Sequence, residues 1–482
     1  DLTRSLWLAD NTRPFEDDPR VYNEYLTDSV YLLLTQSTLP RDDNVKNSVA
    51  RMAYVPRIIS AARESLHNPP RVFVETAIRQ NRGAIAFYES DIFELGGEKP
   101  GQGKLAPRAK KAAVALKDYQ KWLENDLLPR AKGDWRLGRD KFVQKLDLEL
   151  DAGLSADQVL KEAEAEFARV ERDMYVIARQ LWGRAFPRKP LPPDDPDGRR
   201  TTIVRVLDHY NRDHARVEDL VRDARAAVKR IKAFIAEHDM LRLPEPDRCQ
   251  VIEMPEFQRG NSMAFLNPAP PLDVKAASMY AISPPPRDWS HQRVESFLEE
   301  YTRSMLQILT IHEAYPGHYV QLTYANRNPS LIRRVLYSGV FAEGWAVYTE
   351  QMMLDQGYGD GDLALRLNQL KWYLRSVANA ILDHKMHCTQ MTDAEALAFL
   401  TQRAFQSEGE AVPKIVRAKQ SSCQLSTYFV GRTAFYRLRQ QIEREQGAKF
   451  SLGRYHEAVL DHGTLPVKYL PELVRARLAR PR

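Results

Sequence analysis

The sequence predicts a mainly α-helical fold with a small β-sheet in its second half. Apolar side chains recur at helical spacing over most of the 482 residues, for example at Ala163 and Phe167. From 241 to 286 the prolines cluster, and short β-prone pieces replace the helical pattern. Because there is no internal repeat, we expect one large unit over 1–482. Its tentative halves are a helical N-terminal half, 1–240, and a second half, 241–482.

The first strong helix signal lies at Ser155. Ser155 and Gln158, three residues later, form the pattern of a capping box, and helical spacing continues to about Trp182. The segment 186–199 holds five prolines and three aspartates, so we predict a loop there. Two further helices are predicted beyond this loop, at 201–214 and 217–238.

Two β-prone pieces, at 250–254 and Ser278–Ile282, make up the predicted sheet. Ser290 is then in place to cap a long helix that runs, with apolar residues on one face, as far as His312. Helical spacing dominates from there to the C-terminus. The sheet is therefore expected to be an insertion in a helical body.

Composition and charge exclude several classes of protein. The net charge is +6, but 70 basic residues face 64 acidic ones. The two signs are interleaved along predicted helices, which is typical of solvated faces and not of a nucleic-acid site. No apolar stretch approaches the roughly 18–20 residues that span a bilayer. We therefore expect neither nucleic acid as a partner nor a membrane span, and the oligomeric state stays open.

Cysteine usage and the first residue leave the cellular location open. Three scattered cysteines form no disulfide framework. They fit a reducing compartment and also an exported protein without disulfides. Because the chain begins at Asp1 and not at Met, bacterial cytoplasm and export to the periplasm after removal of a leader are both compatible with it.

The most informative segment is HEAYPGH, at 312–318. Two histidines can hold a metal ion, and Glu313 can accept a proton from water. The common HExxH pattern places its histidines four apart on one helix face, whereas His312 and His318 are six apart, or about 600° around a helix. The Pro-Gly pair between them removes an amide donor and permits unusual backbone angles. We predict that the helix is interrupted there and that His318 turns back towards His312.

A third ligand is expected from the next helix. Glu343, in the segment Glu-Gly-Trp-Ala, lies 25 residues after His318. Three protein ligands would leave one coordination position for water. Glu350, two helical turns later, is the competing ligand or the partner of a ligating histidine. The alternative is that these residues are ordinary polar contacts in a core.

These motifs resemble the bacterial domain-of-unknown-function 885 family, which is placed among the glutamate-zincin metallopeptidases. The segment HEAYPGHYVQ and the downstream Glu343-Gly344-Trp345-Ala346 carry the resemblance, and stretches at 74–87, 133–138 and 383–431 extend it over nearly the whole chain. The resemblance implies a large helical zincin-like fold, similar to helical carboxypeptidases, with the small sheet near the active site.

The resemblance also implies a reaction. Zn²⁺, one per chain, would be held by His312, His318 and Glu343 and would activate water, with Glu313 as the general base. Two histidines and a carboxylate also suit iron, manganese or cobalt. The expected substrate is a short peptide, and the expected activity is that of a carboxypeptidase or a dipeptidase.

Candidates for the rest of the active site come from the region 383–431. Tyr428 lies in a segment that resembles the family's Gln-x-x-x-Tyr-x-x-Gly and is the first candidate donor to the oxyanion. His387 is the second, with Asp383 one helical turn before it to orient the imidazole. The alternative for Tyr428 is a core tyrosine whose hydroxyl is hydrogen-bonded within the protein, and the alternative for His387 is a helix-capping or surface histidine.

Three residues are candidates for binding the substrate. Arg417 matches a family arginine, and its planar fork suits a terminal carboxylate; the alternative is a surface salt bridge. Gln424 opens the segment that contains Tyr428 and is expected to bind substrate with it. Tyr280 lies on the predicted strand Ser278–Ile282, which we take as a sheet edge that pairs with an extended peptide; the alternative is an ordinary core strand.

Two other functions stay open. The same residues serve an amidase that acts on a non-peptide amide or an acylated amino acid. A binding protein that keeps a relic metal site is the second alternative. The intact Glu313 argues against a relic, because a site without catalysis needs no general base.

Overall fold

The computed structural model describes residues 2–254, 263–273, 275–285 and 289–480. The chain folds as two compact units, Asp1–Leu137 and Gly138–Arg482. This boundary differs from the tentative one at residue 240, because the helix Ala156–Ala185 packs against the helix Leu363–Cys388 of 241–482, the half expected to be metal-binding and catalytic. The single unit over the whole chain stays a prediction.

The first unit is built from α-helices. They are α1 Leu2–Thr12, α2 Pro14–Asp17, α3 Arg20–Asn23, α4 Ser29–Thr35, α5 Arg41–Met52, α6 Val55–Ser65, α7 Arg71–Ala86, α8 Ile92–Gly96, α9 Ala106–Trp122 and α10 Leu128–Arg130. Single π-helical turns at Glu24–Asp28, Phe87–Asp91 and Leu123–Leu127 join some of them. In α7 the buried residues recur every three or four positions, from Val74 to Ala84, so one face of this helix lies against the core.

The second unit is also helical. Its helices are α11 Arg139–Leu150, α12 Ala156–Ala185, α13 Pro196–Tyr210, α14 Leu220–Glu237, α15 His291–Glu300, α16 Arg303–Glu313, α17 His318–Asn326, α18 Leu331–Val335, α19 Gly339–Asp355, α20 Leu363–Cys388, α21 Asp393–Ala398, α22 Glu408–Gln420, α23 Thr427–Gln446, α24 Leu452–Leu460 and α25 Leu470–Leu478. Both α19 and α20 are buried on nearly every side. Such helices form the centre of a domain. Among the described residues, no helix combines the length and apolarity needed to cross a bilayer.

A three-stranded sheet interrupts the helices, as predicted. Its strands are β1 Cys249–Glu253, β2 Ala264–Asn267 and β3 Ser278–Ile282. β3 lies in the middle, parallel to β1 and antiparallel to β2. The prediction that Ser278–Ile282 is a sheet edge is therefore wrong. The edges are β1 and β2, an order that depends on pairing between distant segments and not on local propensity.

Helix caps explain why some predicted helix boundaries agree with the structure and why others differ from it. Ser155 and Gln158 form the predicted capping box of α12. Helix α13 begins within the predicted loop, because Asp195 caps it and Pro196 takes the first helical position. The predicted continuous helix from Ser290 to His312 is two helices, since Thr302 caps a new one and accepts a hydrogen bond from the Met305 amide.

Helices α19 and α23 cross at a point of close backbone contact. A Cβ atom at Gly344 would lie 2.3 Å from the Cα atom of Gly431, and one at Gly431 would lie 2.0 Å from the Val340 carbonyl oxygen. Only glycine allows this approach at both positions. The crossing brings Glu343, on α19, towards the first turn of α23.

Candidate metal centre

The HEAYPGH segment breaks the helix as predicted. Helix α16 ends at Glu313 and α17 begins at His318. The bond between Tyr315 and Pro316 is cis. A Cβ atom at position 317 would lie 1.9 Å from the His312 carbonyl oxygen, so the break needs glycine there. This geometry turns His318 back, and its ring centroid lies 4.8 Å from that of His312.

Residues outside the segment hold the break in place. The indole Nε1 of Trp345 donates to the Pro316 carbonyl oxygen at 2.9 Å. The hydroxyls of Tyr315 and Tyr319 donate to the carboxylate of Asp247 at 2.7 and 2.9 Å. The Glu-Gly-Trp-Ala motif thus supports the histidines in two ways, through the Trp345 hydrogen bond and through the adjacent Glu343.

His312, His318 and Glu343 converge. One potential ligand atom from each lies within 4.8 Å of the others. The Oε2 atom of Glu343 is 3.7 Å from His312 Nε2 and 3.5 Å from His318 Nε2. Two ligands at about 2.1 Å from a tetrahedral zinc ion lie roughly 3.4 Å apart. The donor set and its spacing therefore fit a divalent ion with a position left for water.

Glu350 is the partner of a candidate ligand and not a fourth member of the cluster. Its Oε1 lies 2.7 Å from His312 Nδ1, so the His312 N–H donates to this fully buried carboxylate. That bond leaves Nε2, which faces Glu343, free to bind a metal ion. Between the two roles that the sequence left open for Glu350, the structure favours the partner of a histidine.

The electrostatics of Glu343 match its position. Burial by itself raises the pKa of this carboxyl, but its interactions with the neighbouring imidazoles of His312 and His318 outweigh burial and hold the pKa well below its usual range. Glu343 is therefore ionised throughout the neutral range, as a metal ligand has to be.

Glu313 faces the outer edge of the sheet. The backbone N–H of Leu266 in β2 donates to Glu313 Oε2 at 2.9 Å. The Ser283 N–H donates to the Met263 carbonyl, so the backbone of Met263 points towards β3. Because backbone groups alternate along an antiparallel strand, those of Ala264 and Leu266 point away from β3. The side of β2 that faces away from β3 therefore lies beside Glu313.

Tyr428, Arg417 and Gln424 lie together. The Tyr428 hydroxyl oxygen accepts hydrogen bonds from Arg417 Nη2 at 2.9 Å and from Gln424 Nε2 at 3.4 Å. Burial first, and then the negative charge of Glu343, raise the pKa of Tyr428 to about 12, and Arg417 opposes them. The phenol is therefore protonated at neutral pH, lies in the field of a candidate metal ligand and can donate a proton. The alternative for Arg417 was a surface salt bridge. Among the described residues, however, no acidic side chain forms an ion pair with Arg417.

His387 and Asp383 occupy the core behind α22. The His387 Nε2–H donates to the Ala418 carbonyl at 2.9 Å, and the imidazole stacks on Phe142. Asp383 accepts hydrogen bonds from the Cys423 amide and the Ser426 hydroxyl, both at 3.0 Å. These bonds link α20 to the segments on either side of Cys423. The catalytic role of His387 and its orientation by Asp383 stay predictions.

Tyr280 lies in the core and not on a free edge. Its side chain is fully buried, and its hydroxyl lies 3.0 Å from Thr310 Oγ1 on α16. Its strand β3 is covered on both sides by β1 and β2. The contact with α16 joins the sheet to the helix that carries His312, so Tyr280 supports the centre instead of lining the predicted peptide-binding edge.

Two residues near the candidate metal centre were not predicted from the sequence. The Tyr337 side chain is about half exposed, and partial burial, followed by the negative charges of Glu343 and Glu313, raises the pKa of its phenol. Lys414 is affected by the charge of Glu343 as well. Neither residue belongs to a motif. Only their positions in the sequence could have pointed to them. Tyr337 directly precedes the helix cap Ser338, and Lys414 lies three residues before Arg417.

Comparisons with known proteins agree with this fold. The solved structure of "a putative lipoprotein of unknown function" from Shewanella oneidensis is 31% identical with a TM-score of 0.80, over 97% of this chain and 84% of that one. A "putative lipoprotein" from Colwellia psychrerythraea, 21% identical with a TM-score of 0.75 over 96% and 78% of the two chains, shares the fold. No curated protein matches the chain. The DUF885 family, "bacterial protein of unknown function", matches residues 3–474, and the chain belongs to this family.

Proposed function

We propose that this protein is a metal-dependent hydrolase that cleaves peptide bonds in short peptides. The observation that carries the proposal is the convergence of His312, His318 and Glu343 within 4.8 Å, beside the carboxylate of Glu313. Histidines, an ionised carboxylate and a neighbouring general base are the parts that hydrolytic zinc sites share.

The three converging side chains would hold the ion, with zinc as the expected metal. When bound, such an ion supplies Lewis-acid chemistry and lowers the pKa of a water molecule to about 7. Glu350 keeps His312 in the tautomer whose Nε2 lone pair faces the site. Iron, manganese and cobalt suit the same donors.

Glu313 serves as general base in this proposal. The Leu266 amide holds its Oε2, and no other described residue bonds to its carboxylate, so Oε1 is available for a proton. The carboxylate accepts a proton from the attacking water and then delivers it to the leaving amine. Its rigid support by β2 fixes the direction of that transfer.

Hydroxyl groups of two tyrosines are available to the developing oxyanion. Tyr428 is protonated, and its oxygen is already held by Arg417, so its own O–H points to other acceptors. Tyr337, in the field of the same carboxylates, is a second donor. A donor that is already in place costs no reorganisation when the charge develops.

The outer edge of β2 supports a peptide as substrate. The Leu266 carbonyl points away from β3 there and can accept a hydrogen bond from the backbone of an extended chain, in the mode of strand addition. This edge takes the role that the sequence analysis gave to Ser278–Ile282. A peptide bound there would lie with its backbone beside Glu313.

The test is hydrolysis of a mixed peptide library by the metal-loaded protein, with product analysis by mass spectrometry. The Glu313→Gln variant should lose about 10²- to 10⁴-fold in kcat and keep its metal content. Glu299→Gln, on the exposed side of α15, is the matched control and should behave as the wild type. The proposal is contradicted if the Glu313→Gln variant hydrolyses peptides as fast as the wild type, or if a chelator leaves the rate of hydrolysis unchanged.

A further inference from the structure

The segment 331–336, which contains α18, carries an exposed apolar surface. Four aliphatic side chains of this segment, called the α18 surface, have exposed fractions between 46% and 67%: Leu331, Ile332, Val335 and Leu336. Among the residues that the structure describes, no other six consecutive positions hold more than two exposed large apolar side chains. Single exposed apolar residues are common, whereas a contiguous group marks a surface that another molecule covers.

Arginines flank the α18 surface. At about 100° per residue, the apolar positions of α18 occupy one face of the helix, and Arg333 and Arg334 lie on its two sides. Arg333 contacts the ring and the carbonyl of His462, and the buried Nε of Arg334 has no partner among the described residues. From 319 to 342 the sequence holds three arginines and no acidic residue. Apolar side chains and positive charge are therefore combined on this surface.

A cavity of about 1290 Å³ opens next to α18. Its wall holds five arginines and three acidic residues, so the cavity is positive overall. Arg327, Arg333 and Arg480 line it, and none of the three forms an ion pair with a described residue. Of the acidic residues, Asp461 is bound by Arg477 at 2.9 Å. Guanidinium groups without a carboxylate partner suit phosphate, whose oxygens match their planar fork.

We propose that the α18 surface docks on a membrane that contains anionic phospholipids. The aliphatic side chains would enter the boundary between headgroups and acyl chains, and the neighbouring arginines would bind the phosphates. Docking of this kind needs no spanning helix, because the protein lies on the bilayer and does not cross it. This inference goes beyond the proposed hydrolase function and does not depend on it.

Charge favours a lipid surface over a second copy of the chain as the partner. A two-fold contact through the α18 surface would bring the same residues of two copies together, so Arg333 and Arg334 would face their own counterparts. Like charges at a contact oppose association, whereas each arginine near an anionic lipid surface favours it. The aliphatic side chains alone would suit either partner, and the arginines decide between them.

Sedimentation with lipid vesicles tests this inference on the full-length protein. Vesicles with equal amounts of phosphatidylglycerol and phosphatidylcholine should bind the protein with a partition coefficient at least about ten-fold above that for pure phosphatidylcholine, since each arginine near an anionic surface contributes about five-fold. Raising the salt concentration from about 0.05 M to about 0.5 M should weaken binding to the mixed vesicles, because salt screens the charges of the headgroups.

Two double variants separate the apolar contribution from the charged one. Leu331→Ser with Ile332→Ser should lower the partition coefficient for the mixed vesicles by about ten- to thirty-fold, because these side chains no longer gain from leaving water. Arg333→Gln with Arg334→Gln should lower it by about twenty-five-fold and leave binding to pure phosphatidylcholine nearly unchanged. Thermal unfolding of each variant shows whether the fold is intact.

Val176→Ser and Arg172→Gln are the matched controls. Both residues are exposed on α12, away from any group of exposed apolar side chains, so these variants should bind vesicles as the wild type does. The inference is overturned if the wild type does not sediment with the mixed vesicles, or if both double variants bind them as well as the wild type does.

Two further measurements identify the other occupants of this surface. Analytical ultracentrifugation that shows a dimer, lost in the Leu331→Ser, Ile332→Ser protein, without vesicle binding would assign the α18 surface to a second copy of the chain. Calorimetry that shows binding of glycerol phosphate without vesicle binding would assign the arginines to a soluble anion. Either result would overturn the docking on a membrane.

Discussion

Gly317 is the residue on which the unusual spacing of the two histidines depends. The backbone returns so closely that the His312 carbonyl would lie 1.9 Å from a Cβ atom at position 317. Real Cβ contacts of that length do not occur, and the obstacle is backbone, which cannot move aside without shifting α16. The six-residue spacing thus works only with glycine directly before His318.

Replacing Gly317 with alanine should therefore displace His318 and remove the metal. We expect the metal content to fall from about one equivalent to near zero, and stability to fall by about 1–3 kcal/mol, as in other overpacked sites. Elemental analysis and thermal unfolding measure the two effects. Gly83→Ala, at a helical position with nothing within 4 Å, is the control. A Gly317→Ala protein with full metal content would refute this view of the break.

Glu350 is the residue that orients His312. Glu350→Gln keeps the shape and an oxygen that can accept from the His312 Nδ1–H, but it removes the charge that makes the imidazole a stronger ligand. We expect the affinity for zinc to fall by about ten- to a hundred-fold, measured by competition with a chelator. Unchanged affinity would show that the charge of Glu350 does not act through His312.

At the scale of elements, the crossing of α19 and α23 decides which side chains meet. Gly344 and Gly431 allow the two backbones to touch, and Glu343 and Tyr428 lie one position and three positions before them in sequence. Gly344 lies in the Glu-Gly-Trp-Ala motif, and Gly431 ends the Gln-x-x-x-Tyr-x-x-Gly segment. Their physical role is to set the distance between two helices, and that role is visible only once the helices are packed.

Alanine at either crossing glycine should push the helices apart. Gly344→Ala and Gly431→Ala place a methyl group within 2.3 Å of the facing backbone, so we expect a loss of about 1–3 kcal/mol in unfolding free energy. Gly183→Ala, on α12 with nothing within 4 Å, should instead raise stability by about 0.5–1 kcal/mol. Chemical denaturation of the three variants measures this contrast. Similar effects in all three would argue against the close crossing.

At the scale of the whole molecule, a buried carboxyl links stability to pH. Burial raises the pKa of Asp383 to about 7, although the Cys423 amide and the Ser426 hydroxyl oppose it. In the unfolded chain an aspartate ionises at about 3.9. The folded protein therefore keeps a proton that the unfolded chain releases. This contribution to stability is present below pH 4 and is lost as the pH rises through 7.

Asp383→Asn should remove that dependence, because an amide has the shape of the protonated acid and does not titrate. Relative to this variant, the unfolding free energy of the wild type should fall by about 3 kcal/mol between pH 4 and pH 7. Denaturation at several pH values, with the two proteins in parallel, measures the difference. A constant difference over this range would show that Asp383 is ionised in the folded protein.

The amino-acid sequence by itself determined the helical class, the caps at Ser155 and Ser290, the small sheet and the Pro-Gly break. These features depend on neighbours within a few residues, where periodicity and capping act. It also identified His312, His318 and Glu343 as a set, because their residue types and spacing are unusual.

Only the tertiary structure decided which elements meet. It made β2 the outer strand beside Glu313, paired Glu350 with His312, and brought Arg417 to the Tyr428 hydroxyl. The sequence also missed Thr302, which caps a new helix where the apolar spacing runs on unbroken. Strand order, helix crossings and hydrogen bonds between distant side chains depend on contacts between residues far apart in the chain, and local propensity carries no information about such contacts.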